Sequence, residues 1–222
     1  FLLGNLSASI EHYVKAYEAT PEANTVQRTR HLVDVGILYQ RTQDYRAARS
    51  YYRRAQDILS TADPSGGAYT EEQVRLFLTQ ADLLLERTVD ATFDRESLER
   101  ARALAERARA LTDPGTLRHA LASLVLSESL GYLGDFDTAY TLNDRVRHYA
   151  RTNQDRRRRT LALLKLGVLH VQTGRWAQAD SVLRDALTQA EELGDLDYQR
   201  RILRTLGRLL EMQERWSEAE HF

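Results

Sequence analysis

The segment from Leu163 to Ala186 constrains the fold of this chain more than any other. Apolar or small residues recur there at three- and four-residue steps, stop at the Thr173–Gly174 pair, and then resume. This pattern predicts a helix, a tight turn and a second helix. Gly167 and Ala179 carry little side-chain bulk, so two helix backbones can approach closely while large residues such as Leu183 fill the space around them.

The same pattern recurs elsewhere in the chain, at steps of about 40 residues around this segment. The matching positions are Leu203, Leu206, Gly207, Leu210, Trp216 and Ala219 on the C-terminal side; Leu126, Ser127, Leu130, Gly134, Phe136 and Ala139 on the N-terminal side; and Leu32, Val35, Gly36, Tyr39, Tyr45, Ala48, Tyr52 and Ala55 near the start. Residues 4–16 match only the second half. Recurrence of several positions in one register predicts a helical repeat array.

The pattern resembles the tetratricopeptide repeat family in the Leu166–Gly167 pair, the aromatic Trp176, and the later Ala179, Leu183 and Ala186. Leu163 and His170 depart from it, standing where the family has Trp and Tyr, and the closing Pro is absent. The resemblance implies an all-α fold, a right-handed superhelical solenoid of antiparallel helix pairs. The spacing exceeds the family's usual period of roughly 34 residues and is similar to long-period arrays of bacterial signalling proteins, so we expect longer helices.

We expect one array over residues 1–222 that is a fragment of a longer protein. Its parts are a half repeat at 1–22, repeats at 24–62, 70–112, 117–153 and 157–193, and an incomplete repeat at 197–222. In the 70–112 repeat, more residues separate the two helix patterns along the sequence than in the other repeats. This predicts a longer helix together with an insertion around Thr88 to Ser97. Thr70 and Gln73 predict a capping box at the start of that repeat.

Composition and motifs argue against several classes of function. The net charge is −1, cysteine is absent, and no apolar run reaches the roughly 18 residues of a membrane helix. The six histidines form no His-Glu-x-x-His pair, and the chain has no phosphate-binding glycine loop or nucleophile elbow. We therefore expect a non-catalytic protein with no metal, no cofactor and no membrane partner. The expected location is the cytoplasm, although the absence of cysteine does not fix the compartment.

The run from Arg156 to Arg159 is the densest basic cluster. It could bind an anion or nucleic acid, or it could be a solvated helix start balanced by nearby acids such as Asp144 and Asp155. No aromatic residue interleaves the arginines to stack on bases. The second interpretation is favoured, and a nucleic-acid partner is not expected.

The resemblance implies that the first helix of each repeat lines a groove for a protein or peptide. Counted from the Leu-Gly register, the candidate partner-binding residues are Val33, Ile37, Leu121, Leu124, Tyr132, Leu161, Leu164, Val168, Gln172, Arg201, Arg204 and Arg208. This groove would run from an apolar middle to a basic end. Alternatively, the array could coil tightly enough to bury these side chains.

The expected function is thus a protein- or peptide-binding scaffold, the interaction or regulatory segment of a larger protein. Its partner would be an apolar helix or peptide with an acidic end, and self-association through the array ends is a further expectation. The alternative is a sensor array that responds to a small ligand or peptide and controls an attached signalling enzyme or DNA-binding domain.

Overall fold

A computed structural model describes the backbone of residues 2–90 and 94–215, and the side chains of residues 6–86 and 94–215. All regular secondary structure in these ranges is α-helical. The chain forms two compact units, residues 1–113 and residues 114–222. The first unit contains α1 (Leu2–Ala19), α2 (Thr25–Arg41), α3 (Tyr45–Leu59), α4 (Gly67–Asp90) and α5 (Arg95–Ala110). The second contains α6 (Leu117–Leu133), α7 (Phe136–Thr152), α8 (Arg156–Gln172), α9 (Trp176–Glu192) and α10 (Leu196–Met212).

The second unit is built from helices of 17 residues each. Short turns join them, with a left-handed residue at Gly134, Gln154, Gly174 and Gly194. After each of these residues, a backbone N–H reaches back to a carbonyl of the preceding helix, for example Asp135 N to Leu130 O at 3.0 Å. These are the hydrogen bonds of a Schellman helix end. The turns therefore fold consecutive helices into antiparallel pairs.

Close contact between paired helices depends on glycine at two positions. A β-carbon on Gly36 would lie 2.3 Å from Tyr52 Cε1, and one on Gly167 would lie 2.5 Å from Leu183 Cδ2. Tyr52 and Leu183 are each at most 1 % exposed. They lie in separate cores: Tyr52 in one formed by α2, α3 and α4, and Leu183 in one formed by α8, α9 and α10. The predicted close approach at Gly167 is confirmed.

The 70–112 repeat differs from the prediction at its start. α4 begins at Gly67 and has 24 residues, so Thr70 lies within the helix and the predicted capping box is wrong. Gln73 Nε2 instead lies 3.4 Å from the Tyr69 hydroxyl. The helix is longer than its neighbours, as expected, but residues 91–93 of the predicted insertion lie outside the described residues. Trp216 and Ala219 of the last predicted repeat also lie outside them.

The packing of α8 explains why its sequence is apolar on nearly every side. It packs against α6, α7, α9 and α10, and a helix that is hydrophobic all round is one that is buried on several sides. The predicted all-α fold of antiparallel helix pairs is confirmed. None of the described helices is long and apolar enough to cross a membrane.

Candidate partner-binding surface

The predicted partner-binding residues of the second unit lie on α6, α8 and α10, the first helices of successive pairs. Both α6 and α10 pack against α8, so the three helices form one layer. One side of this layer carries the predicted partner-binding residues, and we call the accessible part of that side the α6–α8–α10 face. Its residues are half-buried or exposed: Leu121, Tyr132, Leu161, Val168, Gln172, Arg201, Arg204 and Arg208.

Three of the predicted groove residues are not accessible to a partner. Leu124 is 1 % exposed and Leu164 is 3 % exposed, and in the first unit Val33 is fully buried. Leu124 packs with α7 and α8 residues, and Leu164 belongs to the core formed by α8, α9 and α10. The predicted apolar groove is therefore filled at these positions, because neighbouring first helices pack directly on one another. Ile37 is half-buried against the first unit's core.

A buried ion pair joins α6 to α8 beneath the face. Lys165 Nζ donates a hydrogen bond to Glu128 Oε2, and the two side chains are only 7 % and 12 % exposed. Desolvation makes such a pair a weak source of net stability, although removing one partner leaves a costly buried charge. The pair therefore holds α6 against α8, and the Glu128 carboxylate still acts on Tyr132 of the face.

Tyr132 connects α6 electrostatically to α10. Burial raises the pKa of its hydroxyl, the Glu128 carboxylate raises it further, and Arg208 and Arg204 act in the opposite direction. Both guanidinium groups therefore lie close enough to Tyr132 to stabilise negative charge there. Within residues 6–86 and 94–215, neither Arg204 nor Arg208 has a carboxylate within ion-pair distance. Arg204 and Arg208 therefore keep positive charge available at this end of the face.

Gln172 is the last residue of α8, the middle helix of the face. It packs against Gly131 so closely that a β-carbon there would lie 2.7 Å from Gln172 Oε1. Both polar atoms of its amide are buried, and neither makes a hydrogen bond with the described residues. Buried polar atoms in folded proteins usually have a partner, so hydrogen-bonding capacity remains unused at this point.

The corresponding side of the first unit is polar, which the sequence analysis missed. Arg30 Nε donates to Glu72 Oε1 at 2.7 Å, and Arg75 bridges Glu72 and Asp34. Glu72 is 1 % exposed. These bonds join α2 to α4 and take the place of an open groove. The sequence signal for these bonds was the presence of opposite charges on α2 and α4, with Arg30 and Asp34 on one helix and Glu72 and Arg75 on the other.

The arginine run at the start of α8 is mostly paired. Arg156 bonds to Glu192, Arg157 Nε lies 3.1 Å from Asp195 and its guanidinium covers the Tyr198 ring, and Arg158 lies 3.6 Å from Asp155. These contacts tie the start of α8 to the end of α9 and the start of α10. The interpretation as a helix start balanced by acids is therefore supported for these three arginines.

His170 lies in a polar contact between α7 and α8. Its Nδ1 is 3.0 Å from the Tyr140 hydroxyl, which also lies 3.0 Å from Thr173 Oγ1. Burial lowers the pKa of His170, and the positive charges of Arg175 and Arg147 lower it further. The neutral imidazole is therefore favoured, in keeping with a packed side chain. Among the described residues, no group of three or more His, Asp or Glu could hold a metal ion.

The helix pairs define a class, the helical-hairpin repeat proteins, and comparison with known proteins gives the family. Residues 158–222 match a family model described as tetratricopeptide repeat, and residues 32–58 match a second model with the same description. Residues 158–222 and 32–58 therefore contain tetratricopeptide repeats. Repeats of this family support a role as a protein-interaction scaffold. Comparison with curated proteins gives no significant match.

One solved structure similar to this chain is that of BtubC (BKLC) from P. vanneervenii. The two share 16 % sequence identity with a TM-score of 0.60, over 98 % of this chain and 85 % of that one. At this level of identity the similarity shows the fold alone.

Proposed function

We propose that this chain is a non-catalytic cytoplasmic scaffold that binds an acidic segment of a partner protein on the α6–α8–α10 face. The observation that carries the proposal is the position of Arg204 and Arg208 beside Tyr132 without an acidic partner among the described residues. Positive charge of this kind favours an acidic ligand and accelerates its association.

The rest of the face supplies a short apolar contact. Leu121, Leu161 and Val168 are half-buried, so part of each side chain can be covered by a ligand. Because Leu124 and Leu164 are buried, the apolar contribution is smaller than that of an open groove. Affinity therefore depends mainly on carboxylates near α10 and less on deep apolar anchors.

NMR titration of the isotopically labelled protein tests the proposal. The probe is a synthetic peptide in which Glu residues are interspersed with Leu, and its counterpart has Gln in place of each Glu. We expect amide shifts to centre on Tyr132, Gln172 and Arg208. Arg204→Glu should weaken binding by about tenfold, the change expected when one charge contact is reversed.

The matched control is Arg145→Glu, which makes the same charge change at an exposed position on α7. It should leave the affinity within about twofold, since screening limits the reach of an exposed distant charge. Equal weakening by both variants, or shifts outside the α6–α8–α10 face, would contradict the proposal.

A further inference from the structure

The first unit contains a cleft between α3 and α5 that lies away from the polar bonds joining α2 to α4. Its volume is about 670 Å³, and its floor is formed by Gln80, Leu83 and Leu84 of α4. Arg75 and Glu72 of the same helix instead form ion pairs with α2. The volume lies in the range of about 300–1,000 Å³ that is typical of ligand-binding clefts.

The walls of the cleft carry arginines in rows. Arg49 and Arg53 line it from α3, and Arg100 and Arg107 line it from α5. Residues four apart and seven apart lie on one side of a helix. The positive charge is therefore spread along two facing helices and is not concentrated at one point.

The carboxylates in the cleft do not cancel this charge. Of the residues that the structure describes, two carboxylates, Asp94 and Glu96, line it, against four arginines. Asp94 caps α5, accepting hydrogen bonds from Glu96 N at 3.0 Å and Ser97 Oγ at 2.6 Å. The bond from Ser97 is the main reason that the pKa of Asp94 is lowered. Asp94 also interacts electrostatically with Arg100, and the arginines of the lining still outnumber its carboxylates.

We propose that this cleft is a second docking surface, which binds an acidic peptide segment of a partner protein. Rows of guanidinium groups suit carboxylates spaced along an elongated chain, since each guanidinium can bind a carboxylate with two hydrogen bonds. Leu84 and Leu104, which are half-buried, provide apolar contact for a side chain between the carboxylates.

A nucleic-acid strand fits the cleft less well. Binding of single strands relies on accessible aromatic rings that stack on bases. Tyr52, the aromatic residue in the lining, is 1 % exposed, and nearby Phe77 is 2 % exposed with the Arg107 guanidinium 4.3 Å above its ring.

A fluorescent reporter within the cleft tests the proposal separately from the α6–α8–α10 face. The chain has no cysteine, so Ala103→Cys places a single environment-sensitive dye at an exposed position of the lining. Titration with the Glu–Leu peptide should give a saturable signal. The same dye at Ala110→Cys, exposed on α5 outside the lining, should give none.

Charge reversal on both walls then identifies the contact. Arg53→Glu/Arg100→Glu should weaken peptide binding by at least about tenfold. Arg46→Glu/Arg95→Glu makes the same charge change at exposed positions of α3 and α5 outside the lining and should retain the signal. Arg204→Glu should also retain it, so failure of the function proposed for the other face would not remove this result.

Three outcomes would overturn the proposal. The first is no saturable response to the Glu–Leu peptide, and the second is equal weakening by the two double variants. The third is displacement of the peptide by inorganic pyrophosphate or oligo-deoxythymidine at equal or lower concentration, which would assign the cleft to phosphate groups or nucleic acid. Circular dichroism of each variant confirms that the helices are retained.

Discussion

Two helix pairs of the second unit, α6–α7 and α8–α9, have equal helix lengths but fill their helix contact differently. In α8–α9, Gly167 leaves space that Leu183 occupies, with Leu183 fully buried. At the equivalent positions of α6–α7, Ser127 stands in place of Gly167 and Asn143 in place of Leu183. Ser127 Oγ donates to Ala139 O at 2.7 Å, while Asn143 is fully buried with no hydrogen bond from its amide among the described residues.

The comparison shows that the fold requires volume at this contact more strictly than it requires apolar chemistry. Both pairs form 17-residue helices with similar turns. The polar pair, however, buries an amide whose unmet hydrogen bonds cost about 1–3 kcal/mol. We therefore expect α8–α9 to be the better-packed pair, and each prediction below changes one element of this difference.

The largest effect should come from removing the large apolar residue. Leu183→Ala should destabilise the protein by about 2–5 kcal/mol, because it removes buried methyl groups and leaves a cavity. Asn143→Ala should cost much less, since the lost volume is offset by loss of an unsatisfied amide. Urea denaturation of both variants measures the difference. Equal losses would mean that the two contacts are equivalent.

Adding bulk to the glycine tests the same contact from the other helix. Gly167→Leu should cost about 1–3 kcal/mol or more, because even a β-carbon would lie 2.5 Å from Leu183 Cδ2. Pairing it with Leu183→Ala should restore part of the loss, since the new side chain can enter the vacated space. Thermal unfolding of the single and double variants checks this. A Gly167→Leu variant as stable as the parent would contradict the close approach.

Giving α6–α7 the residues of α8–α9 should raise stability. Ser127→Gly/Asn143→Leu should gain about 1–2 kcal/mol, because it replaces a buried unsatisfied amide with a packed apolar side chain. Asn143→Leu alone should gain less, since Ser127 leaves less room than glycine. A double-mutant cycle by urea denaturation measures this coupling. Additive effects would show that the two positions do not share one space.

The sequence predicted the parts of the fold that depend on local pattern. Helix pairing, the turns and the close approach at Gly167 follow from periodicity and small residues. The burial of Leu164 could not be read in the same way, because it depends on the distance between α8 and its neighbouring first helices. The bonds from α4 to α2 at Glu72 and Arg75 likewise require the register between two helices that are far apart in sequence.

The same limit applies to the candidate sites. The basic end at Arg204 and Arg208 was predicted from the repeat register, since that register assigns each residue to a side of its helix. The cleft between α3 and α5 was not, because its width is set by the spacing of two helices that do not follow one another in the chain.

His170 adds a titratable side chain at a position where α6–α7 has Leu130. The lowered pKa of His170 means that, below its unfolded value of about 6.5, the unfolded chain binds a proton that the folded protein resists. Stability should therefore fall as the pH decreases through this range. His170→Leu should remove that part of the fall. Urea midpoints at about pH 7.5 and pH 5.5, on either side of that pKa, measure it. An unchanged difference between the two midpoints would contradict the assignment.

The smallest effect concerns the start of α9, where Arg175 holds the N-cap position and makes no side-chain cap bond. Asp135 and Asp155 cap α7 and α8 by accepting from a backbone N–H of the first turn. Arg175→Asp should stabilise the protein by about 0.5–1 kcal/mol, because a cap bond outweighs the cation–π contact with Tyr140 that is lost. Arg175→Ala loses that contact without gaining the cap and should be less stable than the parent. Thermal unfolding of the variants measures this. If the Asp and Ala variants were equally stable, an N-cap bond at α9 would add nothing to the stability of the protein, and the N-cap difference between α7 and α9 would not affect it.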